Sequence, residues 1–238
     1  MFHEESVNIV TFSPNGNYIA TASLDKTARI WEVATGQEIA RMMHDGSVNA
    51  LTFSPDGKLL ATASCRGTVV IWEIPSGQQI TRIEHDSGIN TLAFSPNGKY
   101  LAAASTDHTA RIWESATGRE VAKMTHNDNV TSLIFSLDGQ YLVTTSWDKS
   151  ARVWEVASGR EIYQVTHEER VLTLALSPDG RYYATGCADG TAWVWLWRPE
   201  DLVAEACSRL TRNLTVEEWR IYLGDEPYRP TCPNLPVP

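Results

Sequence analysis

Basic side chains are scarce. The 238-residue chain has 20 Lys and Arg against 29 Asp and Glu, a formal net charge of −9. A protein that grips a phosphate backbone needs a basic stripe, so nucleic acid is not expected among the partners. The acidic balance itself bears chiefly on solubility. Cysteine is sparse too: Cys65, Cys187, Cys207 and Cys232 show no CxxC spacing, and neither zinc nor any other metal site is expected. No apolar run reaches the roughly 20 residues that a membrane-spanning helix needs. Only Met1 and Phe2 stand ahead of the first histidine, so no signal peptide is read and a cytoplasmic location with reduced thiols is the expectation. Phosphate-cradling glycine loops, paired acids and clustered ligands are missing as well, and no cofactor is expected.

What the chain does have is repetition. His3, His44, His85, His126 and His167 lie 41 residues apart, as do Trp31, Trp72, Trp113, Trp154 and Trp195. Ser13 and Gly16 return in every copy, the last time as Ser177 and Gly180. Five copies without an insertion imply one supersecondary unit stacked on its like. Catalysis needs one asymmetric constellation, whereas here the polar residues come in equivalent sets.

Each copy reads as four short strands. In the second, Val48–Ser54 alternates apolar and small residues and breaks at Pro55-Asp56-Gly57. Leu59–Ser64 follows, then a polar turn at Cys65-Arg66-Gly67, a β-branched strand Val69–Ile74 carrying Trp72, a turn at Pro75-Ser76-Gly77 and a last strand Gln79–Ile83. Short antiparallel strands grouped in fours read as propeller blades. Hairpin turns of the Ser-Pro-Asp-Gly kind speak against a β-solenoid.

A histidine followed at fixed distance by Trp and an acid (Trp31-Glu32, Trp72-Glu73, Trp113-Glu114, Trp154-Glu155, with Trp195-Leu196 in the last copy) resembles the WD-repeat β-propeller over residues 3–197. The resemblance implies an all-β propeller with blades at 3–43, 44–84, 85–125, 126–166 and 167–198, and a helical, proline-rich extension at 199–238. It also implies a buried polar tetrad per blade: His3, Ser23, Asp25 and Trp31 in the first, with the serine hydroxyl accepting the indole N–H and the histidine linking serine to aspartate. His85, Ser105, Asp107 and Trp113, and His126, Ser146, Asp148 and Trp154, keep the set. The second copy has His44, Ser64 and Trp72 but Arg66 in the aspartate column. The fifth has His167, Asp189 and Trp195 but Cys187 in the serine column. Copies two and five are therefore expected to be looser. Ser, His and Asp also make a hydrolase triad, but equivalent triads in successive copies are a structural motif, and function is argued from one site's geometry.

Exposed columns that vary between copies are free to carry specificity. The residue before the tetrad aspartate is Leu24, Cys65, Thr106, Trp147 or Ala188, and neighbouring columns supply Asn8, Asn49, Asn90 and Arg170. Arg66 and His108, the one histidine outside the repeat set, lie in the same turns. In WD-repeat proteins such turns form the usual docking face. Trp147, an aromatic in an exposed turn, followed by Arg170 in the next blade, has the composition of an interface hot spot for a protein or peptide.

After Trp197 the repeat stops. Pro199-Glu200-Asp201 opens a helix whose stripe Leu202, Val203, Ala206 and Leu210 is expected to pack over the last blade as a cap. Thr215-Val216-Glu217-Glu218 is a capping box with Leu214 and Trp219 at staple spacing, closed by Gly224. Prolines at 227, 230, 233 and 236 suit an extended tail with Tyr228 and Leu235 as anchors, whose folding back would bring Cys207 to Cys232. The segment 202–233 resembles the extension that follows the last blade in bacterial, notably cyanobacterial, multidomain WD-repeat proteins. It displaces the fourth strand of the last copy, leaving an open edge suited to self-association. A fragment of a seven-bladed ring, a closed five-bladed ring and completion by another chain all fit. The expected function is a non-enzymatic protein-interaction scaffold or sensor in signal transduction. The alternative is the sensor part of a larger signalling ATPase or protease-like protein.

Overall fold

Apolar, small and β-branched residues, interrupted at fixed intervals by Gly, Pro, Asp and Asn, give strands of six residues, five in the last, and tight turns. A computed structural model describes residues 1–223, 227, 229, 230, 232 and 234–236. In the first sheet β1 (Val7–Phe12), β2 (Tyr18–Ser23), β3 (Thr27–Glu32) and β4 (Glu38–Met43) run antiparallel in chain order. The second has β5 (Val48–Phe53), β6 (Leu59–Ser64), β7 (Thr68–Glu73) and β8 (Gln79–Glu84), and the third β9 (Ile89–Phe94), β10 (Tyr100–Ser105), β11 (Thr109–Glu114) and β12 (Glu120–Thr125). The fourth has β13 (Val130–Phe135), β14 (Tyr141–Ser146), β15 (Ser150–Glu155) and β16 (Glu161–Thr166). The fifth has three strands, β17 (Val171–Leu176), β18 (Tyr182–Cys187) and β19 (Ala192–Leu196), and helix α1 (Pro199–Arg209) follows where the others place a fourth strand. The fold is all-β with two short C-terminal helices, and propeller-like in its repeated four-stranded sheets.

Two turns explain the repeated serine and glycine. In the second copy Ser54 donates its hydroxyl to Asp56 Oδ1 at 2.6 Å and accepts the Leu59 amide at 2.9 Å, so one side chain closes both sides of the hairpin. Gly57 there has φ +70°, where a Cβ is disfavoured. In the second turn Lys26, Gly67, His108, Lys149 and Gly190 all take φ between 65° and 90°. The carbonyls of the first four accept the amide of the next copy's histidine at 2.7–2.9 Å, which fixes where each histidine enters the next sheet. At Gly67 a Cβ would come within 2.5 Å of the His85 carbonyl oxygen, so in the second copy this turn, unlike its counterparts at Lys26, His108 and Lys149, requires glycine.

The chain divides into two compact units, 1–176 with 184–193, and 177–183 with 194–238. In the first, successive inner strands pack on one another, β1 on β5, β5 on β9, β9 on β13 and β13 on β17. Ala20, Ala22, Ala28 and Ile30 of the first sheet form one core with Val48, Leu51 and Phe53 of the second, all at most 9% exposed. Each large side chain so buried contributes about 1.5–3 kcal/mol.

In the second unit Asn213 holds the tail. Its Nδ2 donates to the carbonyls of Cys232 and Leu235, both at 2.9 Å, and its Oδ1 accepts the Cys232 amide at 2.9 Å. Cys207 and Cys232 are joined in a disulfide, which corrects the expectation of reduced thiols at these positions. The pinned tail carries Cys232 back to α1. Helix α2 (Val216–Leu223) opens on the capping box: Glu218 N donates to Thr215 Oγ1 at 3.1 Å and Thr215 N to Glu218 Oε2 at 2.8 Å. Gly224, Tyr228 and Pro233 lie outside the described residues. The stripe on α1 is not buried as expected: Leu202, Val203 and Leu210 are 39, 41 and 50% exposed. The helix turns Val203 and Cys207 instead to a groove lined by Cys232 and Leu235.

Candidate functional site

Beneath the turns of each sheet lies a polar network, whose wiring differs from the expected one. In the first copy His3 Nδ1 is 2.8 Å from Asp25 Oδ2 and His3 Nε2 is 2.7 Å from Thr21 Oγ1, while Trp31 Nε1 donates to that same hydroxyl at 2.9 Å. A carboxylate only accepts, so Nδ1 carries the proton, Nε2 accepts from Thr21, and the Thr21 oxygen accepts the indole N–H. The fourth copy repeats this with His126, Asp148, Thr144 and Trp154 at 3.1, 2.8 and 2.7 Å.

Threonine thus holds the place expected for serine. Trp31 is paired across the hairpin with Ile19, which makes Thr21 its diagonal neighbour and leaves Ser23 nearer the turn. Ser23 and Ser146 instead accept the amides of Asp25 and Asp148 at 3.1 and 3.0 Å and donate to the carbonyls of Glu5 and Asp128. Ser105 does the same for Asp107, and Ser64 accepts the Arg66 amide and donates to Asp45.

The correction changes which copies are complete. The third has Ala103 in the threonine column; His85 Nδ1 reaches Asp107 at 2.9 Å, but His85 Nε2 is buried with no hydrogen-bond partner among the described residues. Trp113 keeps its T-shaped contact with His85 at 5.8 Å. The second copy is broken at the other end. His44 Nε2 and Trp72 Nε1 both meet Thr62, at 2.8 and 2.7 Å, while His44 Nδ1, for which Arg66 offers no acceptor, is buried without a partner among the described residues. In the fifth, His167 is 3.3 Å from Thr185, the Cys187 sulfur is 3.5 Å from His167 Nδ1, and Asp189 Oδ1 accepts the amide and hydroxyl of Thr191 at 2.9 and 2.7 Å. Trp195 is half-buried, and Trp193 packs against His167 at 6.4 Å.

A residue type that spacing alone does not reveal completes the network. Arg29 bridges Asp25 and Glu38, each at 3.1 Å, and Arg152 bridges Asp148 at 3.0 Å and Glu161 at 3.2 Å. Arg111 reaches Asp107 at 3.3 Å and also pairs with Asp86. The second copy has Val70 in this column, so the arginine and its aspartate are lost together.

Burial opposes the charge on Asp25 and Asp148. Hydrogen bonds from Thr27, His3 and the Glu4 amide to the first, and from His126, Ser150 and the Asn127 amide to the second, outweigh it and hold both carboxyls far below the usual range. Burial pushes His44 down to about 4, and pushes His85, His126 and His167 in the same direction against the pull of their aspartates. These imidazoles are therefore neutral near pH 7. The hydroxyl oxygens of Thr21, Thr62 and Thr144 are buried and already accept an indole N–H, so they are not placed to attack a substrate. Among the described residues no three His, Cys, Asp or Glu side chains gather as metal ligands.

Above the networks, the amides of Leu24, Cys65, Thr106, Trp147 and Ala188 donate to the carbonyls of Ser6, Ser47, Gly88, Asn129 and Arg170. This brings the two variable columns together at one end of every sheet. Trp147 is half-buried, not fully exposed as expected, because the Arg170 guanidinium of the next sheet stacks over its ring at 4.8 Å. Arg66 and His108 are exposed, and Leu24 is partly so. Thr106 is tied to Ser87 and Gly88. Asn8 and Asn90 are exposed but donate to Val48 O and Val130 O of the next sheet at 3.3 and 2.7 Å, so they pin sheet to sheet; Asn49 is exposed in the same column.

Over 35 residues the chain is 54% identical to Notchless protein homolog of Arabidopsis thaliana, a stretch that covers 15% of this chain and 7% of that protein. The pattern described as "WD domain, G-beta repeat" matches residues 2–32, 36–73, 77–114, 118–155 and 159–195. With these matches spanning most of its length, the chain belongs to the WD40 repeat family.

Proposed function

We propose that this chain is a protein-interaction module without catalytic activity, and that a protein or peptide docks on the face formed by the turns that follow β2, β6, β10, β14 and β18. WD40 domains generally serve as protein-interaction scaffolds, which favours this class of function. The observation that carries the docking face is the Trp147–Arg170 pair: a large aromatic, absent from the equivalent turns, held in place by a cation above its ring. An aromatic pre-ordered in this way loses little freedom on binding and offers both apolar area and hydrogen-bonding capacity.

The test starts from peptides selected on the intact protein from a displayed library. Trp147→Ala is expected to weaken the selected peptides by about 30-fold or more, as loss of a 2 kcal/mol anchor does, with little change in thermal midpoint. Asn15→Ala, in a turn at the other end of the first sheet, is expected to leave binding unchanged. Unaltered affinity in Trp147→Ala together with a large loss of stability would make Trp147 a packing residue.

A further inference from the structure

Each junction between successive sheets is built the same way. One sheet offers a shallow platform of small residues with one larger, Ala20, Ala22, Ala28 and Ile30 in the first. The next seats knobs on it, Val48, Leu51, Phe53 and Ile74 in the second. The same columns meet at the two following junctions, except that the column of Ile74 holds Ser115 in the third sheet. A polar pin accompanies the apolar contact: the residue after the strand's first apolar one donates to a carbonyl of the next sheet, as Asn8 to Val48, Asn90 to Val130 and Thr131 to Val171 at 3.3, 2.7 and 2.8 Å.

At the ends of the series both halves of this junction are bare. The first sheet's knobs, Val7, Val10, Phe12 and Val33, are 48, 64, 62 and 41% exposed, where those of the second are at most 9% exposed. In the last sheet the platform columns are Ala184 and Gly186, half-buried, and Ala192, exposed. Val194, in the column of Ile30, is 68% exposed where Ile30 is 0%. Large apolar side chains left in water at one end and a small-residue platform left open at the other are the two halves of a contact the chain already makes internally.

We propose that the chain assembles head to tail, with the platform of the last sheet of one copy seating the knobs of the first sheet of a second copy. The occupant is a second copy of this chain because its described residues leave one platform and one set of knobs unfilled, matched in kind to the filled pairs. Such a contact is heterologous, so it either closes into a ring or continues. It lacks the pin, since the donor column of the last sheet holds Leu172, 47% exposed, and it is therefore weaker than the internal junctions.

Two variants at exposed positions separate the halves: Val10→Glu with Phe12→Glu removes the knobs, and Ala192→Arg blocks the platform. Analytical ultracentrifugation of the intact chain should show a mass that rises above the monomer with concentration. Each variant alone should stay monomeric with an unchanged thermal midpoint. Their equimolar mixture should stop at a dimer, because one live platform then meets one live set of knobs. Leu172→Asn should restore the pin and tighten association by about 2- to 10-fold, the equivalent of one net hydrogen bond. A wild-type chain that remains monomeric overturns the proposal. So do variants that oligomerise alone, which would point to strand-edge pairing, and a mixture that does not dimerise.

Discussion

The second and fourth sheets are built from the same repeat yet are wired differently. In the fourth, His126 runs between Thr144 and Asp148, and Arg152 clamps that aspartate to Glu161. In the second, His44 reaches Thr62 but has no partner at Nδ1 among the described residues, and Arg66 and Val70 replace the aspartate and its arginine. Both sheets nonetheless have the same strand register, and both bury their tryptophan, to 8% in the second and 5% in the fourth. Register and sheet-to-sheet packing therefore do not depend on the complete network. The apolar columns specify the fold, and the polar network adds stability where it is complete. This agrees with the general magnitudes, since several large side chains buried at about 1.5–3 kcal/mol each outweigh one hydrogen bond of about 1 kcal/mol.

The comparison is broken most sharply at the carboxylate. Asp148→Ala should lower stability by roughly 3 kcal/mol in thermal or urea unfolding, because it strips partners from His126, Arg152 and the Asn127 amide together. Arg66→Ala in the second sheet should cost under about 0.5 kcal/mol, since an exposed side chain is removed. Equal losses would mean that the aspartate column does not carry the network.

Next comes the hydroxyl. Thr144→Val should cost about 2 kcal/mol, leaving the Trp154 indole and His126 Nε2 without their common partner, whereas Ala103→Thr should stabilise the third sheet by about 1 kcal/mol by supplying one to His85. If Ser146→Ala proved the costlier change of the fourth sheet, the serine reading of the network would be restored.

The smallest effect lies in the second sheet and is best seen through pH. His44 titrates at about 4 when folded and near its ordinary 6.5 when unfolded, so the unfolded chain binds the extra proton first. Stability from this group is complete above pH 6.5 and is lost as pH falls from there toward 4. His85, His126 and His167 act in the same direction. Arg66→Asp gives His44 an acceptor and should raise its folded pKa, making the fall in thermal midpoint between pH 7 and 4.5 shallower, with a gain of up to about 1 kcal/mol at pH 7. A steeper fall would show that the new carboxylate is not within reach of His44.

Much of the fold is legible in the residues. The 41-residue period, the hairpin turns closed by Ser54 and Gly57, the absent fourth strand of the last copy and the capping box at Thr215 all follow from local spacing and local hydrogen bonding. The network is legible only in part. His, Asp and Trp recur at constant spacing and are brought together in the first and fourth copies, but Ser23 recurs just as regularly as Thr21 and is the more tempting hydroxyl. A period identifies columns without saying which of them touch.

The sequence by itself determined where the strands and turns of the repeat fall to within a residue, because turn chemistry and alternation act within a few residues. Only the tertiary structure decided what meets across strands and sheets: that hairpin register sets Thr21 diagonal to Trp31, that Arg29 closes on Asp25, that Arg170 of one sheet covers Trp147 of another, and that Asn213 draws Cys232 back to Cys207. It also decided that Val7, Val10 and Phe12 face water while Val48, Leu51 and Phe53 in the same columns are buried. The pattern of a strand records which side is apolar, and a neighbouring sheet is what makes that side a core.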